Sequence, residues 1–153
     1  MPTIVVETQI AAPVSLCFDL ARDIDLHCAG NTATGEKAVA GVMHGKINSG
    51  ETVTFEATHF GVRQRLTSHI TDFDPPHRFV DEMVSGAFAA LNHRHEFEEA
   101  GGGTLMRDTL TFVSPLGFLG VIADKLFLEN YMRRFLLSRN AHLKRIAESV
   151  MHP

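Results

Sequence analysis

The chain has 153 residues, of which 44% are hydrophobic and 21% are charged, a composition typical of a globular protein rather than of a disordered or fibrous one. Its 14 basic and 18 acidic side chains give a net charge of −4, which argues against a protein that binds nucleic acid through its phosphates. The longest stretch without a charge, residues 109–123, contains Pro and Gly and is shorter than the roughly 20 apolar residues of a membrane-spanning helix.

The N-terminal region predicts one strand followed by two short helices. Residues 4–10 are rich in β-branched side chains, and an apolar-periodic segment at 14–22 follows Pro13, which suits the first turn of a helix. Asp23 is a suitable N-cap for a second helix over 23–28 that ends at Gly30 and Asn31. No basic region precedes the first apolar run, so we expect a cytoplasmic protein without a secretory signal.

The rest of the chain predicts an antiparallel sheet and a long C-terminal helix. Residues 35–50 indicate one strand and a turn, and Gly, Pro and Ser then separate further strands at 51–59, 62–73, 78–84, 88–99 and 104–113. Apolar residues at helical spacing predict one helix over 116–150. We find no repeat or linker, so residues 1–153 are treated as a single domain of the α+β class.

Only the C-terminal helix is large enough to cover one face of such a sheet. The sheet, of six or seven strands, is therefore expected to curve around that helix. A curved sheet around a helix often leaves a gap that inward side chains line. We expect the functional residues to lie in that gap.

The hairpin of strands 88–99 and 104–113 has a register that its glycine turn predicts. A turn centred on residues 101–103 places Phe97 opposite Met106, His95 opposite Asp108 and His93 opposite Leu110. Leu91 then lies opposite Phe112. Because this face carries the apolar residues of both strands, it is expected to point inward together with His93, His95 and Asp108.

The same pairing of opposite residues, applied across a turn at Ser85 and Gly86, pairs Glu82 with Leu91. It places Val80, Glu82 and Val84 on the inner face, so Glu82 is expected to join the polar cluster. A one-residue change in register would invert this arrangement.

The inward His and Asp side chains allow three interpretations. Imidazole and carboxylate groups can satisfy each other inside a binding cavity and orient a ligand, which we favour. Alternatively, His95 with Asp108 acts as general acid and base, with His93 and Glu82 as further catalytic candidates. Metal binding by His93, His95 and a nearby carboxylate is the weakest interpretation, because a His-x-His pair alone has little specificity. No metal or cofactor is predicted.

The order of elements and several segments resemble the helix-grip fold of the START/Bet v 1-like (SRPBCC) superfamily, in its polyketide cyclase/dehydrase-like branch. The segments that carry the resemblance are AAPVSLCFDL at 11–20, FDPPHRFV at 73–80, HRHEFE at 93–98, GGTLMRD at 102–108, SPLGFLG at 114–120 and RNAHL at 139–143. The resemblance implies a hydrophobic tunnel between the sheet and the C-terminal helix. Some relatives are polyketide aromatases and cyclases, whereas others carry or sense apolar molecules.

We therefore expect a protein that binds or carries a lipid, polyketide or aromatic compound in this cavity rather than an enzyme. The alternative is a cyclase or dehydratase that uses His95 and Asp108 on a polyketide-like substrate. The sequence leaves open whether the chain forms a homodimer. The predicted ligand-binding residues are Phe55, Leu91, His93, His95, Phe97, Met106, Asp108, Leu110, Phe112, Met132, Phe135 and Leu136.

Overall fold

A computed structural model describes residues 2–59, 61–114 and 127–152 of the chain. Its strands form a seven-stranded antiparallel sheet in the order β1-β7-β6-β5-β4-β3-β2. The strands are β1 (Thr3–Ile10), β2 (Lys37–Gly41), β3 (Thr52–His59), β4 (Val62–Asp74), β5 (Arg78–Ser85), β6 (Ala90–Ala100) and β7 (Gly103–Val113). The helices are α1 (Val14–Ala21), α2 (Ile24–Ala29), a short 3-10 helix (Thr32–Thr34) and α3 (Glu129–Met151).

The two short helices after β1 begin at the residues that the sequence indicates. Pro13 is the N-cap of α1, where the absence of an N–H group costs nothing. The Asp23 side chain accepts a hydrogen bond from the Leu26 N–H at 3.1 Å and so caps α2. Gly30 follows as the C-cap. These helices therefore confirm the predicted strand, helix, helix order.

The β6–β7 hairpin has the predicted register. Gly101 and Gly102 lie between the paired residues Ala100 and Gly103, and both have positive φ angles of 59° and 77°. Two successive residues with positive φ are typical of a tight hairpin turn, which glycine adopts without steric cost. His95 consequently pairs with Asp108, and the whole inner face follows by alternation.

The β5–β6 register differs from the prediction by one residue. Glu82 pairs with Asn92 instead of Leu91, and its side chain is exposed on the outer face. The predicted inward position of Glu82 is therefore wrong. Residues 86–89 form a four-residue connection rather than a Ser-Gly two-residue turn. This difference in length changes which side chains of β5 face inward. Asp81, which pairs with His93, takes the inward position instead.

Helix α3 packs against the sheet and along its β1 edge. Lys144 Nζ donates a hydrogen bond to the Gln9 carbonyl at 2.7 Å, and the Glu148 carboxylate accepts one from the Ala11 N–H at 2.9 Å. This arrangement, with the two short helices, confirms the predicted helix-grip architecture. The part of the predicted helix from 116 to 126 lies outside the described residues. No helix in the described ranges is both long and apolar enough to cross a membrane.

A cluster of aromatic rings around Phe18 joins α1 to the sheet. The Phe18 side chain is almost fully buried. Its ring centroid lies 5.5 Å from those of Phe79 and Phe97 and 5.6 Å from that of Phe73. Such edge-on and tilted arrangements are favoured by the aromatic quadrupole. Phe18 therefore stabilises the end of the sheet that α1 covers.

We predict that Phe18→Ala lowers the free energy of unfolding by about 3–5 kcal/mol, because it leaves a cavity among three aromatic rings. The measurement is urea unfolding followed by far-ultraviolet circular dichroism. Leu137→Ala is the control, because Leu137 lies on α3 with half of its surface exposed, and its loss should change stability by less than about 0.5 kcal/mol. Equal effects of the two substitutions would contradict this account of the core.

Candidate functional site

A cavity of about 320 Å³ lies between the inner face of the sheet and α3. This volume is within the range of pockets that hold small organic ligands. Its walls are mainly apolar, and their described hydrophobic residues include Ile24, Val53, Phe55, Ala57, Leu66, Ile70, Leu91, Leu110, Met132, Phe135 and Leu136.

Eight of the twelve predicted ligand-binding residues line this cavity, namely Phe55, Leu91, His93, His95, Leu110, Met132, Phe135 and Leu136. The other four are buried elsewhere on the inner face. Phe97 and Met106 pack in the core beneath α1, and Phe112 packs with Ile4 in a second core cluster. Asp108 is fully buried behind the histidines. The inner face is thus larger than the cavity, because the helices cover part of it directly.

A buried polar cluster forms the part of the cavity wall where β5, β6 and β7 meet. His93 Nε2 donates a hydrogen bond to Asp108 Oδ1 at 2.8 Å, and His95 Nε2 donates one to Asp81 Oδ2 at 2.7 Å. From α3, Asn140 Nδ2 donates to Asp108 Oδ2 at 2.6 Å. The two imidazole rings stack with their centroids 3.7 Å apart. The cluster therefore connects three strands of the sheet to the C-terminal helix.

His95 lies between two carboxylates. Its Nδ1 is 3.2 Å from Asp108 Oδ1, but this contact has the geometry of an ion pair rather than of a hydrogen bond. Burial opposes a charged imidazole, yet the flanking Asp108 and Asp81 carboxylates outweigh it and raise the pKa of His95. Burial likewise opposes ionisation of Asp81, but the hydrogen bond from His95 and nearby positive charges lower the pKa of Asp81 to about 2. The pKa of Asp108 is also well below its usual range, because the hydrogen bond from His93 and the close contact with His95 outweigh its burial.

His93 has the opposite protonation preference. Burial, followed by the charge of neighbouring His95, lowers the pKa of His93 to about 4 despite its hydrogen bond to Asp108. His93 is therefore neutral at pH 7. Since its Nε2–H donates to Asp108, Nδ1 is the unprotonated nitrogen.

The structure thus brings together the predicted His93, His95 and Asp108 and adds two residues that the sequence analysis did not select. Asp81 was missed because of the register error. Its position two residues after the apolar Phe79, and therefore on the same face of β5, was a usable signal. Asn140 was missed because the sequence does not reveal which turn of α3 lies over β7.

Further polar groups line the cavity on β3, α2 and α3. The His27 ring stacks on Phe55 with centroids 4.5 Å apart, and its Nε2 contacts a Glu36 carboxylate oxygen at 2.5 Å. His59 Nδ1 and the Tyr131 hydroxyl form a hydrogen bond. Burial lowers the pKa of His59, so this ring is also neutral at pH 7. Arg139 of α3 also lines the cavity.

Asp81, His93 and His95 also have the composition of a metal-binding set, with ligand atoms that all lie within 4.8 Å of one another. The His95 and Asp81 atoms already share a hydrogen bond, however, and His93 donates to Asp108. A metal ion would have to replace these protons. The arrangement as it stands is a network of hydrogen bonds between carboxylates and imidazoles.

Comparison with known proteins gives a family match over nearly the whole chain. The profile of a family described as polyketide cyclase / dehydrase and lipid transport matches residues 1–148. No curated protein sequence matches.

Solved structures share the fold at low sequence identity. The structure of TTHA0849 from Thermus thermophilus is 20% identical and has a TM-score of 0.79, covering 97% of this chain and 99% of its own. Protein CV1439 from Chromobacterium violaceum is 13% identical with a TM-score of 0.70, covering 95% and 96%. Major latex-like protein 151 from Panax ginseng is 15% identical with a TM-score of 0.70, covering 95% and 97%.

The low pKa of His93 predicts how stability depends on pH. Between its ordinary value of 6.5 and about 4, the unfolded chain binds a proton at His93 that the folded chain does not bind. Stability therefore falls as the pH decreases through this window. We predict that His93→Gln removes roughly 2–3 kcal/mol of this loss between pH 6.5 and pH 4, measured by urea unfolding at both values.

The control for this prediction is His77→Gln. The His77 side chain is exposed in the β4–β5 turn, so this substitution should preserve the wild-type pH dependence. If His93→Gln also preserves it, His93 is not the group that resists protonation.

Proposed function

The chain belongs to the polyketide cyclase / dehydrase and lipid transport family, and from this membership we propose that it binds or carries a hydrophobic small molecule in the cavity between the sheet and α3. The family membership and the shared fold confirm the predicted resemblance to the SRPBCC superfamily. The observation that carries the proposal is the largely apolar cavity of about 320 Å³.

The character of the lining supports a hydrophobic ligand. A chain of about ten methylene groups transferred into such a cavity contributes roughly 8 kcal/mol, whereas one net hydrogen bond contributes about 1 kcal/mol. Apolar burial would therefore supply most of the affinity. The polar groups on the wall would act mainly by orienting the ligand, and a lipid, a polyketide or an aromatic compound meets these requirements.

A second candidate function is a cyclase or dehydratase reaction, and the neutral His93 favours it. An unprotonated imidazole whose opposite nitrogen donates to a buried carboxylate is the arrangement of a general base. In this reaction His93 would remove a proton from a bound carbonyl compound, and Asp108 would stabilise the resulting imidazolium. His95, whose pKa is raised by carboxylates at both nitrogens, would supply positive electrostatic potential in its protonated form. This changes the sequence-based hypothesis, in which His95 itself exchanged the proton.

We predict that the protein binds a neutral hydrophobic dye such as Nile red and that Ala57→Phe weakens this binding at least tenfold. Ala57 is buried and lines the cavity, so a phenyl ring at this position occupies the volume that the dye needs. Dye fluorescence measured against protein concentration gives the affinity. Ala40→Phe, at an exposed position of β2, is the matched control and should bind the dye as wild type does. Equal binding by both variants would place the dye outside the cavity and contradict the proposal.

The enzymatic alternative has its own test. Poly-β-ketone thioester mimics are incubated with the protein, and cyclised or dehydrated products are measured by mass spectrometry. We predict that, if turnover occurs, His93→Gln abolishes it and leaves Nile red binding within about twofold of wild type. Turnover that survives both His93→Gln and Asp108→Asn would exclude the acid–base cluster as its origin.

A further inference from the structure

Arg139 is a buried cation that faces the cavity without a partner among the described residues. The residue is only 6% exposed and belongs to the cavity lining. No residue in the described ranges forms an ion pair with it or accepts a hydrogen bond from its side chain. A guanidinium has five N–H donors and no acceptor, so this part of the cavity presents a set of donors to whatever occupies it.

The acidic side chains near Arg139 are already engaged. The Glu36 carboxylate pairs with His27 and accepts a hydrogen bond from Asn31. The Asp81 carboxylate accepts the hydrogen bond from His95. Arg139 contributes to the electrostatics of both groups, although its effect on the pKa of each is smaller than those of burial and of the partner histidine. It thus lies near carboxylates that are bound to other residues.

A buried guanidinium without a hydrogen-bond acceptor or an opposite charge is unfavourable. Removing an ion from water carries a large desolvation cost unless it gains hydrogen bonds or an opposite charge. The other charged groups of the described cavity wall are paired or hydrogen-bonded, as in Arg65 with Glu56 and Arg22 with Asp19. Within the part of the chain that the structure describes, Arg139 therefore differs from its neighbours in lacking the acceptor that its burial requires.

We propose that Arg139 binds the head group of the ligand and that this head group is a carboxylate, so that the protein takes a hydrophobic acid. The proposal rests on the proposed function, because it concerns the same cavity. The planar guanidinium donates two parallel hydrogen bonds to a carboxylate, a geometry that an alcohol or a single carbonyl does not match.

The position of Arg139 on α3 gives the ligand its orientation. Met132, Phe135 and Leu136 lie on the turns that precede it and line the same cavity. At a rise of 1.5 Å per residue, Met132 and Arg139 are about 10 Å apart along the helix axis. An acid whose carboxylate contacts Arg139 would therefore extend its apolar tail along this stripe of α3.

The test compares dodecanoic acid with dodecanol, which share a hydrocarbon tail and differ in the head group. Each is titrated at pH 7 against the wild-type protein loaded with Nile red, and dye displacement gives its affinity. We expect the acid to bind at least tenfold more tightly than the alcohol. Arg139→Gln should remove this preference while leaving alcohol binding within about twofold of wild type. Arg139→Lys keeps the charge but lacks the planar guanidinium, so it should preserve part of the preference for the acid over the alcohol.

Arg134→Gln is the matched control, because Arg134 lies on the same helix with an exposed side chain. It should preserve the full preference for the acid. Equal binding of acid and alcohol by wild type, or an acid preference that survives Arg139→Gln, would overturn the carboxylate proposal and leave the binding function intact. Failure of both compounds and of the dye to bind would instead refute the proposed function. If Arg139→Gln does not fold, the wild-type preference and its reduction in Arg139→Lys decide the question.

Discussion

The buried carboxylate of Asp108 is the constraint on which the rest of the site depends. It accepts hydrogen bonds from His93 on β6 and from Asn140 on α3, and it lies 3.2 Å from the His95 ring. A fully buried carboxylate is stable only when such donors surround it. Asp108 therefore sets the position of the C-terminal helix relative to the sheet at the same point where it orders the histidines of the cavity wall.

The two histidines show how neighbouring positions on one strand acquire different chemistry. His93 and His95 are both buried and stack on each other, yet the pKa of one is lowered and that of the other is raised. The two rings differ in the number of carboxylates that they contact directly, one for His93 and two for His95. His95 contacts Asp81 as well as Asp108, and these carboxylates raise its pKa, whereas burial and the charge of His95 lower the pKa of His93. The cavity wall thus combines one imidazole whose protonated form is favoured and a second that is neutral at pH 7.

Most of the fold and part of the site could be predicted from the sequence, and the limits have physical causes. The glycine turn at residues 101 and 102 defines the β6–β7 register, so His93, His95 and Asp108 were correctly placed on one face. The β5–β6 connection has no such signal, and a one-residue error exchanged Asp81 for Glu82. Arg139 and Asn140 depend on the rotation of α3 over the sheet. Local sequence patterns identify the apolar stripe of a helix but not which polar residues at its border become buried.

The composition of the cavity wall has an optical consequence. The chain contains no Trp and a single Tyr, and that Tyr131 lines the cavity and is hydrogen-bonded to His59. Phenylalanine absorbs at shorter wavelength than tyrosine, so the native near-ultraviolet emission originates from one phenol beside the interior space. Quenching or enhancement of this emission would report occupancy of that space without any attached label.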